Sequence, residues 1–280
     1  MTVLGVIVGL WYLGAVWMNR TWIYDQAARA GVEVSWGEVV AQGLSLERPV
    51  LPAPHQVAVE LYKSTLGMPV TSKKSLVYHG WVTLSATLLG FVIGTTAGIL
   101  LAVGIVHNRA MDMSVMPWAI ASQTIPILAI APMIIVVLNS IGVTGLVPKA
   151  IISAYLSFFP VVVGMVKGLR APDGMQLDQL RTYSATGAET FWKLRLPSSM
   201  PYLFTSLKVG VAASLVGTIV GELPTGAVAG LGARLLSGSY YGQTVQIWAA
   251  LFAAAIVAAS LVAVIGVVER ATLRRMGMGR

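Results

Sequence analysis

Long apolar stretches alternate with short polar ones along most of the chain, and this pattern predicts membrane-spanning helices. Residues 75–106 and 113–148 contain no Asp, Glu, Lys or Arg. The second stretch has 36 residues, whereas one span needs about 20, so we place a turn at Asn139–Gly145. The pattern predicts six spans, at about residues 3–18, 80–106, 116–138, 147–168, 201–222 and 245–268.

The composition indicates the same class of protein. Of the 280 residues, 56% are hydrophobic and only 11% are charged, and the mean hydropathy is +0.77. A soluble domain carries about 25% charged residues, so we expect an all-α fold, a polytopic membrane helix bundle. The chain has no cysteine, and its three histidines lack a partner at i+3 or i+4, so disulfides and a metal site on one helix are not expected.

The formal net charge of +8 is explained by a membrane rather than by a nucleic-acid partner. Lys and Arg collect in the cytoplasmic loops of membrane proteins. If both termini are cytoplasmic, then the 107–115 turn, the 167–208 region and the C-terminal tail carry eleven of the 19 Lys and Arg, and the short outer loops carry two. The distribution therefore predicts that both termini lie in the cytoplasm.

The N-terminal part, residues 1–78, is predicted to hold span 1 and an external polar region, and residues 79–280 the remaining spans. Span 1 could be a secretory signal peptide, but that requires a positive charge before the apolar run, and the first basic residue is Arg20. Val57, Leu61 and Leu66 have helical spacing. They predict a helix that either lies on the membrane surface or is an ordinary solvated helix.

The polar segment, residues 170–195, separates spans 4 and 5. It contains seven charged side chains, whose burial at the bilayer centre would cost on the order of 20 kcal/mol, so it must lie in water or against protein. Apolar and small residues recur at steps of three and four, which predicts a helix at about 176–195 that Pro197 and Pro201 end before span 5. Such a helix is either a docking surface for another protein or packs on its own chain.

The stretch DQLRTYSATGAETFWKLRLP, Asp178–Pro197, resembles the cytoplasmic motif of permease subunits of bacterial ABC importers. The spacing matches, although Asp178, Leu180 and Ser184 stand where the motif has Glu, Ala and Gly. Four further stretches, in the right order, resemble the nitrate, taurine and sulfonate branch: LPAPHQVAVEL, QTIPILAIAPMIIV, PYLFTSLKVGVAASLVGTIVGEL and GLGARLL. The resemblance covers about residues 50–270.

This resemblance implies that the polar segment is the coupling helix that docks into a separate ATPase. The coupling residues it implies are Asp178, Leu180, Arg181, Ser184, Ala185, Gly187, Phe191, Leu196 and Pro197. ATP and Mg²⁺ would be bound by that ATPase, because this chain has no phosphate loop and its Gly-rich stretch at 226–232 lacks the required Lys and hydroxyl. We therefore expect a transport subunit without cofactor or enzyme activity of its own.

The resemblance also implies the partners and the location. They are cytoplasmic ABC ATPase subunits, an external solute-binding protein and a second permease copy, in a homodimer surrounded by lipid in the bacterial inner membrane. Gly210, Ser214, Gly217 and Gly221 in span 5 have the spacing that allows helices to pack closely in lipid. This spacing favours a packed bundle, and also agrees with a dimer.

Two polar residues are candidates for the translocation pathway. Glu222 ends span 5 and either lines the pathway or its mouth, or extends to the membrane interface. Gln123 lies in span 3, where Pro126 and Pro132 should kink the helix and free carbonyl groups; it either contacts the solute or bonds to another helix.

Other classes of membrane protein fit less well. A secondary transporter should show inverted repeats and ionisable residues at mid-membrane, and an intramembrane enzyme needs a paired catalytic constellation; neither is visible. A purely structural subunit leaves the spacing of the polar segment unexplained. The cargo is left open between a pyrimidine-like or vitamin-precursor ring, to which RLPSSMPYLFTSLK points, and a nitrate, taurine or sulfonate solute.

Overall fold

A computed structural model describes residues 2–224 and 227–278. Gly226 of the predicted glycine turn and Arg280 of the tail lie outside the described residues. Helices account for most of the described chain. They are α1 (Thr2–Ala30), α2 (Trp36–Gly43), α3 (Pro54–Thr65), α4 (Leu76–His107), α5 (Arg109–Ser122), α6 (Ile127–Ser140), α7 (Leu146–Leu169), α8 (Gly174–Thr182), α9 (Gly187–Thr190), a π-helical turn (Phe191–Arg195), α10 (Leu196–Glu222), α11 (Leu231–Tyr240) and α12 (Thr244–Arg275).

Five helical segments of the described chain are long and apolar enough to cross a membrane: α1, α4, α7, α12 and the continuous helix Gly187–Glu222. The pair α5 and α6 would be a sixth span if it is counted as one. The predicted polytopic helix bundle is therefore confirmed. The predicted limits agree best with the structure for span 4, which we placed at 147–168 and which corresponds to Leu146–Leu169.

Span 3 is not the single kinked helix that we predicted. Helices α5 and α6 meet at an angle of 99° across a break of four residues. Pro126 caps α6 with an extended backbone, and a proline disfavours helical geometry in the residue before it. Pro132 lies inside α6 without ending it. The first proline therefore breaks the span, and the second does not.

The polar segment also differs from the predicted helix at 176–195. It contains α8, a turn at residues 183–186, and then α9, which continues through the π-helical turn into α10. Neither Pro197 nor Pro201 ends that helix. Pro197 lies in its first α-helical turn after the π-turn, where the Leu196 N–H already bonds five residues back, to the Phe191 carbonyl. Because the hydrogen bonds of a π-turn already depart from the α-helical pattern, the helix tolerates a proline, which has no N–H, directly after this turn.

The chain divides into two compact units, and α4 and α12 contribute residues to both. The first unit runs up to Val82 and includes Val228–Ala255. There the buried Asn19 amide of α1 donates to the Gly43 and Leu51 carbonyls, and its oxygen accepts the Val50 N–H. One side chain with satisfied hydrogen bonds thus fixes the loop after α2 onto α1, as buried polar groups require.

The second unit contains Thr83–Ala227, as far as it is described, and the chain from Ile256 onward. Its core is formed by α4, α7 and α10, which approach one another closely at glycines. A Cβ atom added to Gly98 of α4 would lie 2.9 Å from the Phe158 carbonyl oxygen of α7. One added to Gly217 of α10 would lie 2.9 Å from the Ser153 Cα of α7. The small residues predicted in span 5 therefore pack α10 against α7 within one chain.

Candidate functional site

A row of hydroxyl groups connects the three core helices of the second unit. The Ser153 hydroxyl of α7 donates to the Ser214 carbonyl of α10 at 2.9 Å. The Ser214 hydroxyl in turn donates to the Thr87 carbonyl of α4 at 2.9 Å, and the Thr87 and Thr218 hydroxyls lie 3.0 Å apart. All four residues are fully buried. We call this row the hydroxyl seam; it joins the helices by interhelical hydrogen bonds, which contribute about 0.6 kcal/mol each in a membrane.

Glu222 closes the seam at the end of α10. Its side chain is completely buried, and the Thr83 hydroxyl of α4 donates to its two carboxylate oxygens at 2.9 and 3.1 Å. The Lys149 ammonium of α7 lies 3.7 Å from the same carboxylate. Three helix ends thus meet at one carboxylate. The alternative in which Glu222 extends to the membrane interface is not what the structure shows, because that arrangement requires an exposed carboxylate.

Sequence reasoning missed Thr83 and Lys149 as partners of Glu222. A signal was present, since Lys149 is the only charged residue between Asp112 and Lys167. It lies at the start of predicted span 4, and Glu222 lies at the end of predicted span 5, so both fall on the same side of the membrane. Two isolated opposite charges at one face predict an ion pair, because an unpaired buried charge is costly. Thr83 gives no comparable signal.

Gln123 lies at the break between α5 and α6. It is exposed, and its amide is 3.4 Å from the neighbouring Ser122 hydroxyl. The Tyr155 hydroxyl of α7 donates to the Ser122 carbonyl, so one of the carbonyls at the break is satisfied by protein. Gln123 therefore presents an amide on a short non-helical connection that α7 holds in place.

The predicted coupling residues fall into two groups. Four are exposed: Asp178 and Arg181 of α8, which form an ion pair at 2.9 Å, Ser184 in the turn, and Gly187 at the start of α9. Ala185 and Leu180 are half-buried. We call these six residues, which lie in α8, the following turn and the start of α9, the exposed polar face.

The second group packs on this chain itself. Phe191 and Leu196 contact a core cluster that includes Val162 and Met165 of α7, and the Phe191 ring lies 5.3 Å from the His107 ring of α4. Pro197 follows directly and is half-buried. The predicted helix thus has two parts: α8 and the turn are mostly exposed, and Phe191 of the π-turn packs on the bundle.

Ser184 holds the turn between α8 and α9 in an unusual backbone conformation. Its φ of 55° lies in the left-handed region, and it is the one non-glycine residue with positive φ in the described chain. Thr186 then starts α9 with a capping box, in which its hydroxyl and N–H pair with Glu189. The turn therefore requires a residue that tolerates φ above zero, which Gly does best.

Comparison with known proteins gives one family and several relatives. The family model for the inner membrane component of binding-protein-dependent transport systems matches residues 94–278. A probable ABC transporter permease protein of Haemophilus influenzae is 28% identical over 221 residues, 79% of this chain and 85% of that protein. The formylaminopyrimidine transport permease protein of Halalkalibacterium halodurans is 29% identical over 65% of this chain and 68% of its own length.

Two further comparisons give a riboflavin transport permease and a solved structure with a similar fold. The riboflavin transport system permease protein of Chloroflexus aurantiacus is 28% identical over 80% of each chain. A chain of the MetNI methionine ABC transporter in an inward-facing conformation superposes with a TM-score of 0.57 at 21% identity, and covers 70% of this chain and 95% of that one. At that identity, the structural likeness concerns the fold alone.

Proposed function

The chain belongs to the family of inner membrane components of binding-protein-dependent transport systems, and on this premise we propose that it couples a separate ATPase to solute import. The family consists of multi-pass transport permeases. In our proposal two copies of this chain form a homodimer around one pathway, with both termini in the cytoplasm. Cytoplasmic ABC subunits bind ATP and Mg²⁺, and an external protein delivers the solute.

The observation that carries this proposal is the continuous helix Gly187–Glu222. It has 36 residues, about 54 Å at 1.5 Å per residue, and runs from the exposed polar face to the buried carboxylate of Glu222. A continuous helix transmits displacement over its whole length. Movement of the ATPase against α8 and the turn would therefore reach the hydroxyl seam and the far end of α7 and α10.

The exposed face is the part that we propose docks into the ATPase. Its contact residues would be Asp178, Leu180, Arg181, Ser184, Ala185 and Gly187. In contrast, Phe191 and Leu196, which pack on this chain, and the half-buried Pro197 that follows them would transmit motion into the bundle.

For the solute we propose a small polar heterocycle of the pyrimidine or vitamin-precursor class. Two of the relatives carry formylaminopyrimidine and riboflavin in their names, which supports this choice. Relatives named for aliphatic sulfonates and nitrate keep an anionic solute as the competing proposal. Gln123 would contact the solute, since its amide both donates and accepts hydrogen bonds, as a heterocycle requires.

For Glu222 we propose a role in holding the helix ends together, with no direct contact to the solute. Its carboxylate is already engaged by Thr83 and Lys149. A secondary transporter is not favoured. The break between α5 and α6 resembles its broken helices, but the four residues of that break carry no ionisable side chain.

Affinity purification of the tagged chain from its native membranes tests the proposal. We expect a stoichiometric ABC ATPase in the eluate, and ATP hydrolysis by the complex that rises when the external binding protein and its solute are added to proteoliposomes. A homo-oligomer without an ATPase after gentle solubilisation would overturn it. Solute identity is tested separately, by calorimetry of the external protein with pyrimidine, flavin and sulfonate ligands.

A further inference from the structure

An open groove lies between α7 and α10 on the second unit. Its floor is formed where Gly164 and Ser206 bring the two helices into contact. The groove has a volume of about 610 Å³, within the roughly 300–1,000 Å³ typical of small-molecule sites. Its walls are mostly apolar and include Phe159, Val163 and Val209. From Phe159 to Lys167 it follows α7 for about 12 Å, at 1.5 Å per residue.

One end of this groove carries a cationic side chain. The Lys167 ammonium lies 5.9 Å from the centroid of the Tyr202 ring, within cation–π distance. The ion pairs of the described residues involve Lys149, Arg170, Arg181, Lys193 and Lys208. In residues 2–224 and 227–278, no carboxylate lies within 4.0 Å of Lys167. The groove thus combines an apolar channel with an ammonium group that has no anionic partner in the described chain.

We propose that the α7–α10 groove holds one anionic phospholipid. Its phosphate would bind the Lys167 ammonium and accept a hydrogen bond from the Tyr202 hydroxyl. An acyl chain would lie along Phe159, Val163 and Val209. Basic pockets between transmembrane helices bind the headgroups of anionic lipids, and Tyr and Lys are typical at the level of the headgroups.

The polar side chains at this end of the groove differ in whether they can donate a hydrogen bond to a phosphate. Thr205 already donates its hydroxyl hydrogen to the Pro201 carbonyl at 2.9 Å. It therefore has no second hydrogen to give to a phosphate. Lys167 and Tyr202 are the donors that remain for the headgroup, and Lys167 supplies the charge. Selectivity for an anionic over a zwitterionic lipid thus depends on Lys167.

Charge complementarity favours a lipid over a second copy of this chain as the occupant. The chain carries a net charge of +8, and the polar segment beyond α7 contains four basic and three acidic residues. A second copy carries the same excess of positive charge, so it is the less complementary neighbour for the Lys167 ammonium. An anionic phospholipid supplies the negative charge and the apolar chain in one molecule. This inference does not depend on the transported solute.

Native mass spectrometry of the purified full-length chain tests the proposal. Phosphatidylglycerol and phosphatidylcholine with identical acyl chains are titrated separately. We expect one tightly retained phosphatidylglycerol per chain and weaker retention of phosphatidylcholine. K167Q should weaken phosphatidylglycerol retention about fivefold, the effect of one basic residue near a lipid surface, and leave phosphatidylcholine unchanged. V163W, which fills the groove, should weaken both lipids.

Two control variants separate the loss of the Lys167 charge from other effects of the substitution. K74Q removes one exposed lysine far along the chain from the groove and should change neither lipid. K167R keeps the charge and should retain phosphatidylglycerol, which separates loss of charge from misfolding. Equal retention of the two lipids by the wild type, or unchanged retention by K167Q, would overturn the proposal. So would loss of dimer in K167Q and V163W at unchanged lipid binding, since the groove would then belong to a second copy.

Discussion

Lys149 and Glu222 lie 3.7 Å apart, and each charge sits at the helix end that disfavours it. Lys149 is in the first turn of α7, where the helix dipole is positive, and Glu222 is the last residue of α10, where it is negative. Each charge therefore stabilises the other against two unfavourable effects, the loss of hydration on burial and the repulsion from the helix dipole. The pair ties together two helices that glycine contacts already bring close.

We expect Glu222→Gln to destabilise the chain, because it leaves the Lys149 ammonium buried at a helix N-terminus. Breaking one partner of a buried ion pair costs about 3–5 kcal/mol. Lys149→Met alone should have a similar effect, and the double variant should cost much less than the sum of the two. Thermal unfolding of the purified chain in detergent measures this coupling. Additive effects in the double-mutant cycle would show that the two side chains do not act as a pair.

Gly90→Ala should destabilise the α4–α7 contact. The new Cβ would lie 2.5 Å from the Ala150 carbonyl oxygen, so the helices must move apart, at a cost of about 1–3 kcal/mol. Gly80→Ala in the same helix is the matched control, since no atom lies within 4 Å of its Cβ position, and it should be neutral or slightly stabilising. The two variants are compared by thermal unfolding. Equal melting temperatures would contradict the close approach at Gly90.

Ser184→Gly should preserve or strengthen ATPase binding, and Ser184→Val should weaken it. Gly adopts the φ of 55° without strain, whereas a β-branched residue strains the turn that presents the docking face. Co-purification of the ATPase with each tagged variant gives the measurement. If the valine variant bound as well as the wild type, the geometry of this turn would be irrelevant to docking.

Ala185→Asp should reduce ATPase association while leaving membrane insertion intact. It adds a charge to a half-buried position within the proposed docking face. Thr71→Asp, an exposed position in the first unit, is the control for added negative charge. Both are assayed by ATPase co-purification and by the yield of membrane-inserted chain. Loss of association in both variants would indicate an effect of net charge rather than of the docking face.

Gln123→Ala should lower solute uptake in proteoliposomes without changing ATPase association. The residue is exposed at the break and has no interhelical hydrogen bond in the described chain, so little stability depends on it. Ser140→Ala at the other end of α6 is the control, because its exposed hydroxyl bonds only to its own helix. Normal uptake by the Gln123 variant would remove it from the pathway.

The spans could be predicted from sequence because charge-free stretches of sufficient length have few alternatives in a chain of this composition. The positions at which the helices break could not be predicted from the sequence. Pro126 lies in the break after α5 and caps α6, while Pro132 and Pro201 lie inside helices. Whether a proline breaks a helix depends on its neighbours. A π-turn precedes Pro197. Before Pro126, the Tyr155 hydroxyl donates to the carbonyl of Ser122, the last residue of α5.

The geometry around the candidate site residues also exceeds what the sequence can show. Spacing placed Ser184 at the glycine position of the motif, where one reason for a glycine is its small size. The structure gives a second cause, a positive φ, which no composition reveals. Likewise Glu222 was recognised as an isolated acid, but its partner Thr83 is 139 residues away and carries no distinguishing pattern. Contacts of that range appear only when the helices are packed.

The hydroxyl seam also bears on how the protein is made. Thr87 and Thr218 each donate to a carbonyl one turn earlier in their own helix, so these side chains do not enter the membrane unsatisfied. The Ser153 and Ser214 hydroxyls and the charged groups of Lys149 and Glu222 instead interact with other helices. These four side chains therefore make these contacts only when the three core helices have packed together. Because α10 is the last of the three core helices along the chain, the contacts of Ser214 and Glu222 can form only after α4 and α7 have been synthesised.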